Sequence, residues 1–339
     1  MLHESKAIDV SFITEINRQK GSSDKDLIKF TQAFADKDYA TTQSLLGKYC
    51  TEVQLNPQDF RNKKEHEQAT KDAMVSAVSS RFFDMSREDR NKTLIVTPTN
   101  EMRHAVNQAI VSELKNRGEV SSETISVPHL TSVQCSAIKK KDRATYTEGM
   151  ILRTKERVEN RSVVTDYKVV QNFVEGDKTG KSILVENVKG ERSILHLKDI
   201  DEKYQVFQRD GELELSVGMK VMTKDNSFLH KDRSQSVSSG QALIVERIDR
   251  SEEGKTFVHL RTEDKKKSIC VVPEKLHGLA MDYGYARTAH DAQGKTVAHV
   301  IVVDKKSRMN SANLEYVAMT RAKESLHIIT NDRSVLEKT

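Results

Sequence analysis

The run Thr93-Leu94-Ile95-Val96-Thr97-Pro98-Thr99-Asn100 decides the fold class. Its first five residues are typical of a short buried strand, which Pro98 ends. A helix is predicted to follow, because apolar residues recur on one helical face at Met102, Val106, Ala109, Ile110 and Leu114. Gly118 then stands where a glycine would cap the end of that helix. A buried strand, a tight polar loop and an amphipathic helix make one unit of a parallel α/β sheet.

The α/β pattern returns near the end of the chain. After Asp282, strands are predicted at Tyr285–Thr288, Val297–Val303 and Leu326–Thr330. Helices are predicted from Ser311 through Met319 and from Asp332 onward. We expect these segments to share one sheet with Thr93–Thr97.

The first ninety or so residues are predicted to be helical. Spaced apolar residues indicate helices at Asp26–Asp36, Asp38–Tyr49 and Glu65–Phe83. From about Val120 to Leu279, short apolar runs alternate with polar turns, a pattern typical of small β-barrels. We expect two β-rich modules that divide near Gly211. Strands are predicted at Tyr167–Val174, Ser182–Val188, Ser193–Leu197, Met219–Thr223, Ala242–Ile248, Phe257–Arg261 and Ile269–Val272.

Composition excludes several classes of protein. No apolar run is long enough to span a bilayer, and the start lacks the pattern of a secretory signal. The three cysteines, Cys50, Cys135 and Cys270, have neither metal-site nor disulfide spacing, which fits a reducing cytoplasm. A net charge of +5 permits a polyanionic partner. The runs Lys139–Lys141 and Lys265–Lys267 could contact phosphates, although each alone is more simply a solvated turn.

Two segments imitate a phosphate-binding loop without meeting its requirements. Gly176–Ser182 has three residues between its first glycine and Gly-Lys-Ser, whereas a P-loop has four and opens a helix. The strand-like residues that follow predict a hairpin turn instead. Gly294-Lys295-Thr296 lacks the leading glycine, and the nearby Val300–Asp304 is better explained as a plain buried strand than as a Walker B strand.

Two later segments carry residues suited to phosphates. In Tyr285–Gly294, Thr288 and His290 could bond to phosphates or stack on a base, and Gly294 permits close backbone approach. In Leu314–Lys323, the planar fork of Arg321 suits a terminal phosphate. Alone, the first segment is more often a polar turn, and Arg321 a cation at a helix end.

Together these segments resemble a known family. Tyr285–Gly294 resembles motif V of RecD-like superfamily 1 helicases, and Tyr316–Ala322 resembles their motif VI. Ile13–Gln19 is similar to the Arg-Gln segment that follows the first motor domain, and Leu94–Gly118 to the start of the second.

The intervening region resembles one branch of that family. Gly218–Asn226 resembles the start of the family's SH3-like barrel, and Lys139–Arg153 an additional β-module of conjugative relaxases. The chain thus resembles the C-terminal part, second motor domain plus β-insertion, of a TraI/TrwC-type conjugative relaxase-helicase.

The resemblance implies an α/β fold whose RecA-like parallel sheet is interrupted by a β-rich, SH3-like barrel insertion after a helical N-terminal segment. It implies a helical segment at 1–90, leading from a missing first motor domain. The second motor domain (2A) would comprise 91–119 and 280–339. A β-rich module would span 120–210, and the SH3-like barrel (2B) 211–279.

The resemblance also implies roles for individual residues. Arg18 and Arg321 would face the phosphates of ATP, with Gln19 and Gly294 beside the nucleotide. Single-stranded DNA would be contacted by Thr97, Thr99, Asn100, Thr288, His290 and Gln293. The Walker A and B motifs are not in these residues, so ATP and Mg²⁺ would bind only at an interface with a first, P-loop motor domain, in cis or in trans. No metal site of the chain's own is expected.

Two functions remain open from the sequence. The chain could be part of an ATP-dependent 5′–3′ DNA helicase of conjugative transfer, inactive as an ATPase alone. The alternative is a non-catalytic module, a vestigial helicase that binds single-stranded DNA or is recognised by the type IV secretion coupling machinery.

Overall fold

The computed structural model describes residues 24–158, 161–225, 237–292, 296–304 and 319–336, without the side chains of 155–163 and 335–336. Contacts divide the chain into two units. The first comprises the residues up to Ile110 and from Ala286 onward, and the second is Val111–Tyr285. Among the described residues, no helix combines the length and the apolar character needed to cross a membrane.

The helices of the described residues are α1 (Lys25–Asp36), α2 (Tyr39–Tyr49), α3 (Lys63–Phe83), α4 (Arg87–Asn91), α5 (Asn100–Asn116), α6 (Ala137–Lys140) and α7 (Arg333–Leu336). The strands are β1 (Cys50–Glu52), β2 (Thr93–Thr97), β3 (Thr124–Ser132), β4 (Ile151–Val158), β5 (Arg161–Gln171), β6 (Ser182–Asn187), β7 (Arg192–His196), β8 (Tyr204–Ser216), β9 (Lys220–Thr223), β10 (Ala242–Arg250), β11 (Thr256–Thr262), β12 (Ser268–Val271), β13 (Met281–Tyr283), β14 (Ala286–Thr288), β15 (Val297–Asp304) and β16 (Ala322–Thr330).

A parallel sheet forms the centre of the first unit, as predicted. Its described strands run in the order β1-β16-β15-β2-β14, and every neighbouring pair is parallel. The amphipathic helix α1 buries Leu27, Phe30 and Phe34 in the same apolar cluster as Val96 of β2 and Val302 of β15. Such burial supplies most of the stability of a helix this short.

The predicted end of α5 is confirmed. Gly118 has a φ of 65°, a left-handed conformation that a glycine adopts without steric cost. The N–H of Glu119 donates to the carbonyl of Leu114 at 2.9 Å, which closes the last turn.

Two antiparallel sheets make up the second unit. The first has the order β3-β8-β4-β5-β6-β7, and the second β12-β11-β10-β9-β13. Pro128 lies in β3, at an edge of the first sheet, where the missing N–H of a proline is tolerated. The β-rich character predicted for this region is confirmed, whereas closure of the second sheet into an SH3-like barrel stays a prediction.

The predicted module boundary near Gly211 is wrong, because β8 runs straight through it. Pro128 pairs with Glu212 but Leu130 with Arg209, so β8 holds one extra residue at this point. Gly211, with a φ of 71°, therefore belongs to a β-bulge. The exposed, polar middle of this strand has the composition of a turn.

Two further boundaries differ from the predicted ones. β13 pairs with β9, so residues 281–283 belong to the second unit rather than to a motor domain that begins at 280. β1 pairs with β16, which brings part of the predicted helical segment into the parallel sheet. Three residues are too few to give a periodic signal, so the sequence did not predict this strand.

A buried ion cluster joins the parts of the second unit. The Arg153 guanidinium donates to both carboxylate oxygens of Asp166, at 2.7 and 2.8 Å, and to Asp225 at 2.7 Å. It also donates to the carbonyl of Gly278 at 2.7 Å. The arginine side chain is 2% exposed and both carboxylates are fully enclosed. Because opposite charges and hydrogen bonds satisfy one another here, the burial of three charges is tolerated.

Gly278, whose carbonyl belongs to this cluster, has no room for a side chain. A Cβ at this position would lie 2.7 Å from the carbonyl oxygen of Pro128 and 2.8 Å from Leu130 Cγ. The first of these atoms belongs to the backbone, which can move away only at a large cost in energy. The close approach therefore permits only glycine where the backbone meets the Arg153 guanidinium.

We predict that Arg153→Met lowers the free energy of unfolding by about 3–5 kcal/mol, because it strands two buried carboxylates. Urea denaturation followed by circular dichroism measures the loss. The matched control is Arg192→Ala, which removes an exposed partner of Glu186 and should cost less than about 1 kcal/mol. Equal losses in the two variants would show that the cluster contributes no more than a surface ion pair.

His327, on β16 of the parallel sheet, has a shifted pKa. Burial, assisted by the nearby Arg81 guanidinium, lowers the pKa of its imidazole to about 4 from its ordinary value of 6.5. Its Nε2 lies 3.0 Å from the hydroxyl of Thr51, on the neighbouring strand β1. The folded chain therefore holds this ring neutral at pH values where the unfolded chain protonates it.

Stability should fall as the pH drops from about 6.5 to about 4, since only the unfolded state takes up a proton on His327 in this window. This contribution is fully present above pH 6.5 and is lost as the pH falls towards 4. His327→Gln should flatten the pH dependence of the unfolding free energy in that range. An unchanged slope in the variant would contradict the assignment.

Candidate functional site

The carboxyl ends of β2 and β14 meet at one edge of the parallel sheet. Thr97, the last residue of β2, pairs in register with Thr288, the last residue of β14. The loop after each strand therefore starts at the same level. Crevices at the carboxyl ends of parallel strands are the usual ligand sites of open α/β sheets. The register thus brings together two of the segments predicted to contact DNA.

Thr97 lies inside this edge rather than on its surface. Its side chain is 1% exposed, and its hydroxyl donates to the carbonyl of Arg287 at 3.2 Å. This hydrogen bond ties β2 to β14. The structure gives Thr97 a positioning role, because its polar atom is already engaged within the sheet.

Thr99 and Asn100 begin α5 directly after β2. The Thr99 hydroxyl accepts the N–H of Met102 at 3.2 Å, as a helix-capping side chain does. Asn100 is exposed, and its Oδ1 accepts a hydrogen bond from Nε of the buried Arg103 at 3.2 Å. An exposed amide, the positive end of a helix dipole and a guanidinium therefore lie within one turn.

The loop after β14 is braced in a similar way. The Thr288 hydroxyl accepts the N–H of Asp291 at 3.3 Å, and the N–H of Ala292 donates to the Thr288 carbonyl at 3.0 Å. This turn leaves His290 exposed. Gln293 and Gly294 lie outside the described residues.

Asn107 holds β14 in place, a role that the sequence analysis did not assign. Its Oδ1 accepts the N–H of Ala286 at 2.8 Å, and its Nδ2 donates to the Ala286 carbonyl at 3.4 Å. The side chain thus bonds to the edge strand as another strand would. The sequence held a signal for this role, since Asn107 stands three residues before Ile110 and seven before Leu114, in phase with the apolar face of α5. In the structure, Asn107 is 1% exposed.

Arg321 lies at the opposite edge of the sheet. It directly precedes β16, eight residues before Ile329, which stands level with the Thr97–Thr288 pair. Eight strand residues span roughly 25 Å. The predicted DNA contacts and the predicted phosphate-facing arginine therefore occupy separate places on this unit.

The Arg321 side chain is 6% exposed. Its Nη2 lies 3.5 Å from the hydroxyl of Thr320, and its carbonyl accepts the N–H of Val297. The chain's own atoms therefore enclose most of this side chain. Arg18 and Gln19, the other residues predicted near the nucleotide, lie outside the described residues.

The remaining motif-like segments act within the fold. β15 is a buried strand, and its Asp304 carboxylate accepts the hydroxyl of Thr330 at 2.9 Å. In the Gly176–Ser182 turn, the Asp177 carboxylate accepts the N–H groups of Thr179 and Lys181. Within the described ranges, no group of histidine, cysteine and acidic side chains is arranged to hold a metal ion.

Two family models match separate parts of the chain. A UvrD-like helicase C-terminal domain matches residues 283–329, which include β14, β15 and most of β16. A DNA relaxase TraI 2B/2B-like domain matches residues 129–215, which span most of the six-stranded sheet. The label 2B, given to 211–279 from the sequence, is therefore misplaced, because this match lies almost wholly before that range.

The curated relatives are also proteins named for conjugation. A multifunctional conjugation protein TraI of Escherichia coli is 21% identical over 266 residues, which are 77% of this chain and 14% of that protein. A conjugal transfer protein TraA of Rhizobium radiobacter is 26% identical over 148 residues, 44% of this chain and 12% of that protein. The chain thus spans a small fraction of the length of the relatives it matches.

Solved structures that match the chain include a Pif1 helicase from Candida albicans, with a TM-score of 0.42 and 12% identity over 95% of this chain and 57% of that one. A Bacteroides Pif1 bound to ssDNA has a TM-score of 0.39 and 12% identity, covering 92% of this chain and 50% of that one. With both family matches and the TraI relatives, the chain is similar to the C-terminal part of a TraI-type relaxase-helicase.

Proposed function

We propose that this chain is the C-terminal portion of an ATP-dependent 5′–3′ DNA helicase of conjugative DNA transfer. The observation that carries the proposal is the register of Thr97 with Thr288, which sets the exposed Asn100 and His290 on neighbouring loops at one sheet edge. Similarity to a TraI conjugation protein and to a UvrD-like helicase domain supports this role.

Single-stranded DNA is the proposed ligand of this edge. The start of α5 offers a positive dipole end to a backbone phosphate, and the Asn100 amide and the His290 ring offer hydrogen bonds. Thr288 and Thr99 shape the two turns, while Thr97 and Asn107 fix β14 against its neighbours. Gln293, three residues beyond His290, completes the proposed set.

ATP would act from another domain. Phosphoryl transfer needs a phosphate cradle and a Mg²⁺ site, and the P-loop motif is not among these 339 residues. We therefore place ATP and Mg²⁺ at an interface with a first motor domain. Arg18, Gln19, Gly294 and Arg321 are the residues proposed to meet the nucleotide there, with both arginines facing its phosphates.

A second candidate is a non-catalytic module for DNA binding or for recognition by type IV secretion coupling machinery. It is favoured by the enclosure of Arg321 and by the larger of the two family matches, which falls on the 2B-like residues 129–215. Under this alternative, Arg321 would serve the fold alone.

We expect Asn100→Ala with His290→Ala to weaken single-strand binding roughly tenfold or more, because each change removes a polar contact. The slope of the log–log salt dependence should change little, because counterion release, about 0.7 for each phosphate neutralised on a single strand, comes from lysine and arginine side chains rather than from such hydrogen bonds. Fluorescence anisotropy with a labelled oligonucleotide measures both. The control is Asn116→Ala, at the other end of α5. Parental affinity in the double variant would exclude this edge as the DNA site.

We also expect that the chain alone does not hydrolyse ATP. Fused to, or mixed with, a TraI-type first motor domain, it should show DNA-stimulated turnover that Arg321→Ala and Arg321→Lys both reduce by roughly 10³-fold or more. A lysine keeps the charge but loses the bidentate fork. Thermal melts of each variant are needed as controls because Arg321 is buried.

Two outcomes would contradict this assignment. If a folded Arg321→Ala protein keeps turnover within a few-fold of the parent, Arg321 serves the fold and not ATP. If instead its DNA affinity collapses while turnover at saturating DNA persists, the arginine contacts DNA.

A further inference from the structure

A basic loop, Ser136–Arg143, projects from the six-stranded-sheet module of the second unit. It contains the short helix α6 and the lysine run singled out in the sequence. Ile138 in this loop is 85% exposed, more than any other large apolar side chain of the described residues. Lys139, Lys141 and Arg143 around it are exposed as well. One exposed aliphatic side chain is ordinary by itself, so it is the cations around it that point to a ligand.

The loop is held rigidly from beneath. The hydroxyl of Thr145 donates to the carbonyl of Lys139 at 2.6 Å, and that of the fully buried Tyr146 to the carbonyl of Lys140 at 2.7 Å. Lys140 differs from its neighbours, since its Nζ donates to the Tyr204 carbonyl at 2.6 Å. Ile138 is therefore presented in a fixed place, and little conformational entropy is left to lose on binding.

A second cationic segment adjoins the basic loop. Nη1 of Arg143 lies 3.5 Å from the position that a Cβ would take at Gly180. Gly180 belongs to the turn that carries Lys178 and Lys181. The acid of that turn, Asp177, directs its carboxylate inward to the N–H groups of Thr179 and Lys181. Asp142 caps the N–H of Ala144 at 2.9 Å. Asp201, whose carbonyl accepts a hydrogen bond from Lys140 Nζ at 3.1 Å, has its carboxylate 3.9 Å from Lys203 Nζ.

A partner that suits this surface carries dense negative charge on its outside. It also has apolar groups in its interior that the Ile138 side chain could reach from one side. Duplex DNA has both, and proteins that insert an aliphatic side chain at a base-pair step use this combination. Single-strand binding relies instead on aromatic stacking, and the basic loop has no aromatic residue. One aliphatic side chain also buries too little apolar area to bind a lipid surface firmly.

We propose that the basic loop is a duplex-DNA contact. Ile138 packs against an exposed or opened base-pair step, and Lys139, Lys141 and Arg143 contact the flanking phosphates. The inference rests on the proposed function only in taking DNA as the polyanion, and it uses residues distant in sequence from Asn100 and His290.

The test measures binding of the full chain to a short blunt duplex that carries 2-aminopurine at its last base-pair step. Ile138→Ser should weaken duplex binding about tenfold, the contribution of one buried aliphatic side chain, with an unchanged salt slope. It should also abolish the fluorescence increase caused by unstacking. Lys139→Ala with Lys141→Ala should instead reduce the salt slope by roughly 1.8, or 0.9 for each phosphate contact.

Matched controls lie on the same module. Ile194→Ser removes another exposed aliphatic side chain, 53% exposed on β7, and Lys189→Ala with Lys198→Ala removes two other exposed lysines. Both should leave duplex affinity within twofold of the parent. Because all these side chains are exposed, the thermal melts should not change.

Three results would overturn the inference: an Ile138→Ser affinity within twofold of the parent, an equal loss on the single strand, or Ile138-dependent binding to phosphatidylserine vesicles without Ile138-dependent duplex binding. The proposed function fails separately. If Asn100→Ala with His290→Ala leaves single-strand binding intact while Ile138→Ser impairs duplex binding, the sheet edge is refuted and the basic loop stands.

Discussion

The pairing of β14 with β2 is the interaction on which the first unit's candidate site depends. β14 has only three residues, so its own ladder supplies few hydrogen bonds. The Thr97 hydroxyl and the Asn107 amide add side-chain bonds to Arg287 and Ala286. A one-residue slip would reverse the faces of β14 and carry the turn after Thr288 away from Asn100. The surface groups keep their arrangement because buried ones fix the register.

Much of the parallel sheet could be predicted from the sequence because its central strands are continuous apolar runs. Thr93–Thr97 is buried at every residue, as a strand covered on both faces should be. β1 and β8 escaped prediction for opposite reasons. β1 is too short to show a period, and β8 carries a bulge and exposed polar residues that imitate a turn. Tertiary pairing decides both strands, and a local pattern cannot report it.

The sequence predicts which loops form the candidate site, but it does not predict which of their residues are exposed and which hold the backbone in place. Thr97 and Thr288 look alike in sequence, yet only the fold shows that Thr97 is enclosed and engaged with Arg287. The separation of Arg321 from these residues likewise follows from strand register, which no motif spacing encodes. In the second unit, Arg153 was an ordinary strand residue until the fold brought Asp166, Asp225 and Gly278 around it. Its directional bonds fix several backbone segments at once, which apolar contacts alone would specify less sharply.

The long insertion between β2 and β14 has a consequence for how the chain reaches its fold. Thr97 pairs with a residue that lies 191 positions further along the chain. Closing a flexible loop of that length costs roughly 4–5 kcal/mol of conformational entropy. If the intervening sheets form first, the effective loop shrinks to the short stretches that flank them. During synthesis, β2 would then present an unpaired edge until the insertion has folded, a stage at which exposed strands invite association with other chains. The insertion therefore governs when the parallel sheet can be completed.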